Sequence, residues 1–188
     1  MTVEFPTTAT PHLYATVHRI ITAVVALGGA VGWLHVPDEE ETAAWLDDQL
    51  ALAAAGDGAL VLVEDQALGI WSRYAAPVIR QNAEIRKVMV HPDARGRGLG
   101  KIVVEALTGH ATAAGIEVLV LDARGNNHAA HALYEALGWQ RVGAIPGFIA
   151  VGNERWDRIL FARRVNTPPG TVLHGSAAEG PGMSRRTR

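Results

Sequence analysis

The 188-residue chain has no cysteine. That absence excludes disulfides and any covalent intermediate held on a protein thiol. No excess of either charge sign stands out: 17 Lys and Arg oppose 19 Asp and Glu, for a net charge of -2 and a pI near 6.4. Such a balance argues against nucleic acid as the main partner. Long hydrophobic runs are also missing. The longest, residues 20–36, is interrupted by Gly28, Gly29 and Gly32 and is short for a bilayer span. No charged-then-apolar leader opens the chain. What remains is ordinary globular composition, 48% apolar and 19% charged. The expectation is a cytoplasmic protein with one domain over residues 1–165 and a disordered tail over 166–188, where Pro, Gly, Ser and Thr take over.

Apolar spacing predicts the elements. Leu13, Val17, Ile20, Ile21, Val24 and Leu27 recur at helical intervals over residues 12–27, and Gly28-Gly29 ends that helix. Asp38 is a suitable N-cap for a second helix over 39–55, with Glu39, Glu40 and Glu41 in its first turn. Residues 59–63 and 67–74 read as a hairpin, and 2–5 as an edge strand. Strands are also predicted at 84–90, 117–122, 141–144 and 156–164, the last two joined by a turn at Pro146-Gly147.

The stretch over 83–107 organises the rest. Its alternating strand must stop near His91, because Pro92 cannot donate to a sheet ladder. Arg95-Gly96-Arg97-Gly98-Leu99-Gly100-Lys101 follows, and then Ile102, Val103, Ala106 and Leu107 at helical spacing. Three glycines permit positive φ and a close ligand approach. The helix start adds about half a positive charge, and Arg95, Arg97 and Lys101 add full ones. This is a cradle for an anion, and phosphate is the natural one. A P-loop is excluded, since Arg95 stands where its first glycine belongs and Ile102 where its hydroxyl belongs. The dinucleotide fingerprint fails as well: frames starting at Gly96 and Gly98 end on Lys101 and Val103.

Arg95, Gly98 and Gly100 do fit [RQ]-x-x-G-x-[GA]. Downstream, Asn127, Ala130, Leu133, Tyr134, Gly138 and Trp139 fit N-x-x-A-x-x-L-Y-x-x-x-G-[FWY]. Together these motifs resemble the GNAT superfamily of acyl-CoA-dependent N-acetyltransferases over residues 58–165. Finer similarity, in EIRKVMVHPDARGRGLG, VLVLDAR and RVGAIPGF, is to the branch containing the tabtoxin-resistance acetyltransferases. The resemblance implies an α/β (α+β) fold with a central mixed, mostly antiparallel sheet of six to seven strands and about four helices. It also implies acetyl-CoA as cosubstrate. Its diphosphate would lie on Arg95, Gly96, Arg97, Gly98, Leu99, Gly100 and Lys101. The pantetheine would pair with the backbone of Val88, Met89 and Val90 and reach Asn127 and Tyr134.

Acetyl transfer to an amine needs a base for the ammonium, a donor for the developing oxyanion and a proton for the leaving thiolate. By resemblance, Glu84 and Asp122 are the catalytic carboxylates and Tyr134 the general acid. Otherwise Glu84 pairs with Arg86 or Lys87 in a half-exposed strand, and Asp122 caps the loop over 123–126. Trp33, Trp71 and Arg73 are candidate acceptor contacts. His128 and His131 lie three apart with no third ligand, so no metal is expected. The expected acceptor is a primary amine of a small molecule, with amino-acid-like antibiotics or antimetabolites as candidates and resistance as a role. The alternatives are a protein N-terminal or lysine acetyltransferase, and a CoA-binding module without turnover. Nucleic-acid and membrane partners are not expected, and the assembly is a monomer or homodimer.

Overall fold

The apolar stretches pair into one sheet. The computed structural model describes residues 1–29 and 32–173. The elements run β1 (Val3–Glu4), α1 (Pro11–Ala26), α2 (Glu39–Ala54), β2 (Gly58–Val63), β3 (Ala67–Arg73), β4 (Asn82–Val90), α3 (Leu99–Ala113), β5 (Val118–Arg124), α4 (His128–Ala136), β6 (Gln140–Val151) and β7 (Glu154–Arg164). Seven strands lie in the order β1-β2-β3-β4-β5-β7-β6. Only β4 and β5 pair in parallel; the other neighbours are antiparallel. The mixed, mostly antiparallel sheet with four helices expected from the sequence is therefore present among the described residues.

Each face carries its own core, as strand alternation requires. α1 and α2 cover one face, packing Ile20, Ile21, Leu46 and Leu50 on Leu60, Leu62, Leu68, Ile70 and Met89. α3 and α4 cover the other, where Val103, Val104, Leu107 and Tyr134 meet Val61, Trp71, Ile85, Leu121 and Phe161. Burying one such large apolar side chain is worth roughly 1.5–3 kcal/mol, so the two cores together fix which way every strand faces. Capping holds α2 in place: Asp38 Oδ1 accepts from the Glu41 N–H at 2.8 Å, and Glu41 Oε2 accepts from the Asp38 N–H at 3.1 Å. Asp38 as N-cap is what the sequence led us to expect, and the Glu41 contact completes a reciprocal box.

Two expectations are corrected. Pro146 and Gly147 lie inside β6 rather than at a turn. The pairing of β6 with β7 shifts register between Ile145 and Ile149 there, and the chain reverses between β6 and β7 instead. A proline at an edge-strand bulge forfeits no ladder bond, so the strand runs through. The second concerns β4. Ile85, Val88 and Val90 all pack on the α3 face, although 85 and 88 are an odd number of residues apart. Lys87 makes this possible by adopting φ 53° as a bulge, where the register with β3 shifts. Of the predicted tail, residues 174–188 lie outside the described residues, and 166–173 form no helix or strand. Among the described residues, no helix is long and apolar enough to cross a membrane.

Candidate active site

The cleft begins where two strands part. β4 and β5 pair only at Asn82 with Val118, Ala83 with Leu119 and Glu84 with Val120. Beyond that point β4 stays on β3 as far as Val90, and β5 stays on β7 as far as Arg124. The edges of β4 and β5 that face each other thus lose their ladder partner, and exposed strand edges of this kind receive an extended ligand chain by main-chain pairing. Val88, Met89 and Val90 lie on that edge. The Met89 side chain is committed to the core on the α1 face, so only its backbone is open to such a ligand.

α3 starts at the far end of the opening. Gly96 and Gly98 hold φ of 78° and 75°, values that L side chains rarely adopt. Gly98 is the N-cap and has no side chain with which to cap the helix, and the first N–H groups of any helix lack intrahelical partners. A Cβ at either glycine would meet nothing within 4 Å, so open space lies in front of the loop. Gly100 packs close behind: a Cβ there would lie 3.6 Å from Leu133 and 3.7 Å from Val90, which draws α3, α4 and β4 together. The Leu99 side chain is buried and contributes only backbone. Arg95, Arg97 and Lys101 are exposed around the loop, with Lys101 3.9 Å from Glu105. The amides of a helix start and exposed cations fit a diphosphate.

Glu84 and Asp122 meet on the α1/α2 face of the opening. Glu84 is the last paired residue of β4, and Asp122 lies beyond its partner Val120 with the same parity. Arg158, from β7, joins them: its Nη2 donates to Asp122 Oδ1 at 2.7 Å and to Glu84 Oε1 at 3.2 Å. On the other side, Arg86 Nε lies 3.7 Å from Glu84 Oε2 and its Nη2 donates to Ser72 Oγ at 2.8 Å. Burial raises the Glu84 carboxyl above its ordinary 4.5; Asp122 adds to the rise, while Arg86 and Arg158 oppose it.

Tyr134 approaches from the other face, on α4. It is 6% exposed and packs edge-on to Phe161, with ring centroids 5.4 Å apart. Burial, with a further contribution from Asp122, pushes its phenol up to about 12. It therefore stays protonated and can act as a donor. Asn127 caps α4, accepting from the Ala130 N–H at 3.2 Å through Oδ1. Its Nδ2 donors take no part in that cap.

The acceptor contacts divide. Trp33 stands on the Glu84 face, where the Lys87 ammonium lies 3.6 Å above its ring and Trp45 meets it edge-on at 5.6 Å. Trp71 points the other way. It is 1% exposed in the α3 core, and its Nε1 donates to His110 Nδ1 at 3.2 Å. Arg73 also faces α3, donating to the carbonyls of Ala114 at 3.0 Å and Arg80 at 3.1 Å and pairing with Asp57. Neither Trp71 nor Arg73 lines the cleft, because their place in the pleat turns them to the opposite face.

Arg124 and Arg158 were not singled out in the sequence, and Lys87 was named only as a possible partner of Glu84. Arg124 ends β5, where its Nη2 lies 3.4 Å from the Gly28 carbonyl and its guanidinium 5.6 Å from the Trp156 ring. Alternation of Arg158 with buried Ile159 and Phe161 was a usable signal for its face. Its partners depend on which strand β7 pairs with. Among the described residues, no group of three or more His, Asp or Glu could hold a metal ion.

Comparison with known proteins agrees with this geometry. The profile of the Acetyltransferase (GNAT) family matches residues 29–139. A [Ribosomal protein bS18]-alanine N-acetyltransferase of Salmonella typhimurium is 32% identical over 85 residues, which is 45% of this chain. The match spans 57% of that relative's length. Among solved structures, yncA from Salmonella typhimurium with its cofactor acetyl-CoA superposes with a TM-score of 0.74 at 20% identity, over 89% of this chain and 95% of the other. A ribosomal-protein-alanine N-acetyltransferase from Brucella melitensis gives 0.75 at 18% identity, over 87% and 99%. With a family profile matched over more than half its length and the fold to go with it, the chain belongs to the GNAT acetyltransferase family.

Proposed function

We propose that the protein is an acetyl-CoA-dependent N-acetyltransferase acting in the cytoplasm on a primary amine of a small molecule. The observation that carries this is the parting of β4 from β5 between an anion cradle at Gly96–Gly98 and a pair of carboxylates at Glu84 and Asp122. The thioester supplies an activated acetyl carbon. Glu84 takes a proton from the acceptor ammonium, leaving a nitrogen lone pair. That nitrogen forms the new N–C bond as the C–S bond breaks, Tyr134 gives the departing sulfur its proton, and the second proton shed by the nitrogen as the amide forms restores the phenol. A main-chain N–H near Met89 or Val90 serves the oxyanion. The domain ends near residue 165.

Arg124 supports a small acceptor. It reaches the Gly28 carbonyl on one wall and the Trp156 ring on the other, drawing together walls that a peptide would need apart. The tabtoxin-resistance resemblance extends this reading to amino-acid-like antibiotics. A second reading, acetylation of a protein N-terminus, is favoured by the name of the 32% identical relatives. The test is thiol release from acetyl-CoA across a panel of amino acids, amine antibiotics and alanine-initiated peptides. Release with one amine class is expected, with Glu84→Gln abolishing it while acetyl-CoA still binds. Saturating acetyl-CoA without release for any acceptor would overturn the assignment, and release with peptides alone would select the second reading.

A further inference from the structure

The two carboxylates at the mouth of the opening are not equivalent. One guanidinium nitrogen serves both, at 2.7 Å to Asp122 and 3.2 Å to Glu84. The shorter contact has the length of a strong charge-assisted hydrogen bond, and the longer one is marginal. The asymmetry follows from the sheet. Arg158 sits opposite Arg124 on β5, and Leu160 sits opposite Asp122. The arginine therefore reaches back diagonally along β5, a span within range of a long side chain, and arrives at Asp122 before Glu84. The Phe148 ring, 5.4 Å from the guanidinium, covers it from β6.

We propose that Arg158 is a positioning residue that holds Asp122 in a fixed ion pair and leaves Glu84 as the single proton acceptor of the acyl-transfer site. The proposal rests on the function proposed above.

The titratable groups around Glu84 come from three strands and one loop residue. Arg86 lies on its own strand, Asp122 on β5 and Arg158 on β7, while Tyr74 follows β3. Tyr134, on α4, feels Asp122 from the opposite face. Without a cation between them, the Asp122 charge would push the buried Glu84 carboxyl further above its ordinary value and favour its protonated form. A protonated Glu84 cannot take a proton from an ammonium. With Arg86 and Arg158 in place, repulsion from Asp122 is offset, and burial keeps Glu84 basic enough to accept one. Arg86, on the far oxygen of Glu84 and on Ser72, lowers Glu84 more than Arg158 does, but it is Arg158 that holds Asp122.

The test uses the full ligand-free chain, labelled with carbon-13 at its side-chain carboxyls and titrated by NMR, with Glu84 assigned through Glu84→Gln. Arg158→Gln is expected to raise the Glu84 midpoint by up to about one pH unit, because one of its two offsetting cations is gone. Arg158→Lys should recover part of that shift. Asp122→Asn is expected to move the midpoint the other way, because the repelling charge is lost and Arg158 turns wholly to Glu84. Acetyl-CoA affinity, read by calorimetry, should be unchanged in all three. A Glu84 midpoint that stays put, or moves in the same direction in Arg158→Gln and Asp122→Asn, overturns the proposal. Should Arg158→Gln not fold, the absence of a downward shift in Asp122→Asn overturns it alone. No acceptor is needed, so a failure of acetyl transfer is read separately from a failure of this arrangement.

Discussion

The indole of Trp71 donates to Nδ1 of His110 at 3.2 Å, tying the middle of β3 to the last turn of α3. The bond requires an unprotonated Nδ1. Burial already holds His110 below its ordinary 6.5. A histidine depressed in this way is protonated more readily when unfolded, so its contribution is complete above pH 6.5 and disappears as pH falls through the folded midpoint. Thermal melts should show a loss of stability on that acid side, and His110→Asn should flatten it. Trp71→Ala should cost about 3–5 kcal/mol by chemical denaturation, as large core deletions do.

Gly98 makes the anion cradle testable apart from packing. It holds φ 75° with open space where a Cβ would sit, so a substitution there strains the backbone without a clash. The strain is about 1–2 kcal/mol. Calorimetry with coenzyme A should show an affinity for Gly98→Val about tenfold or more weaker. Gly109, in the body of α3, also has nothing near its missing Cβ and no positive φ. Gly109→Ala should bind coenzyme A as the parent does and gain up to about 1 kcal/mol of stability.

Tyr134→Phe removes a hydroxyl and leaves the ring contacts with Phe161 and Trp139. Turnover in the thiol-release assay should fall about tenfold or more, with acetyl-CoA affinity retained. Because the phenol is pushed up to about 12, it remains a donor at every practical pH. The alkaline limb of the rate profile should therefore survive in Tyr134→Phe.

Lys87 is shifted from 10.5 to about 8, first by burial and then by Arg86. Its ammonium lies over Trp33, so tryptophan fluorescence should step as pH passes about 8, and Lys87→Met should lose the step. The sign also fixes stability. The fold disfavours the charged amine, and that cost builds as pH falls from 10.5 and is complete below about 8. Lys87→Met should melt higher than the parent at neutral pH.

Local chemistry was legible in the sequence. Asp38 caps α2 because cap and capped amide lie three residues apart. The glycine loop and the α4 motif are each contained in one short segment, so ligand and helix ends could be read without knowing a partner strand. Trp71 and Arg73 could not be placed, because a strand residue looks the same whichever face it serves. Lys87 reversed the parity of β4 by a bulge that no glycine within β4 announces. Pro146-Gly147 imitated a turn because punctuation residues also mark bulges.

From the sequence alone came the first two helices with the Asp38 cap, the anion loop and the absence of a thiol intermediate, which follow from spacing and composition. Glu84 and Tyr134 as candidate proton carriers came from the family resemblance. Tertiary structure decided that β4 and β5 part after Glu84, that Arg158 crosses from β7 to both carboxylates, and that Trp71 belongs to the core. The physical reason is that a sheet joins residues distant in sequence, and which face each presents is set only when every strand has buried its apolar side.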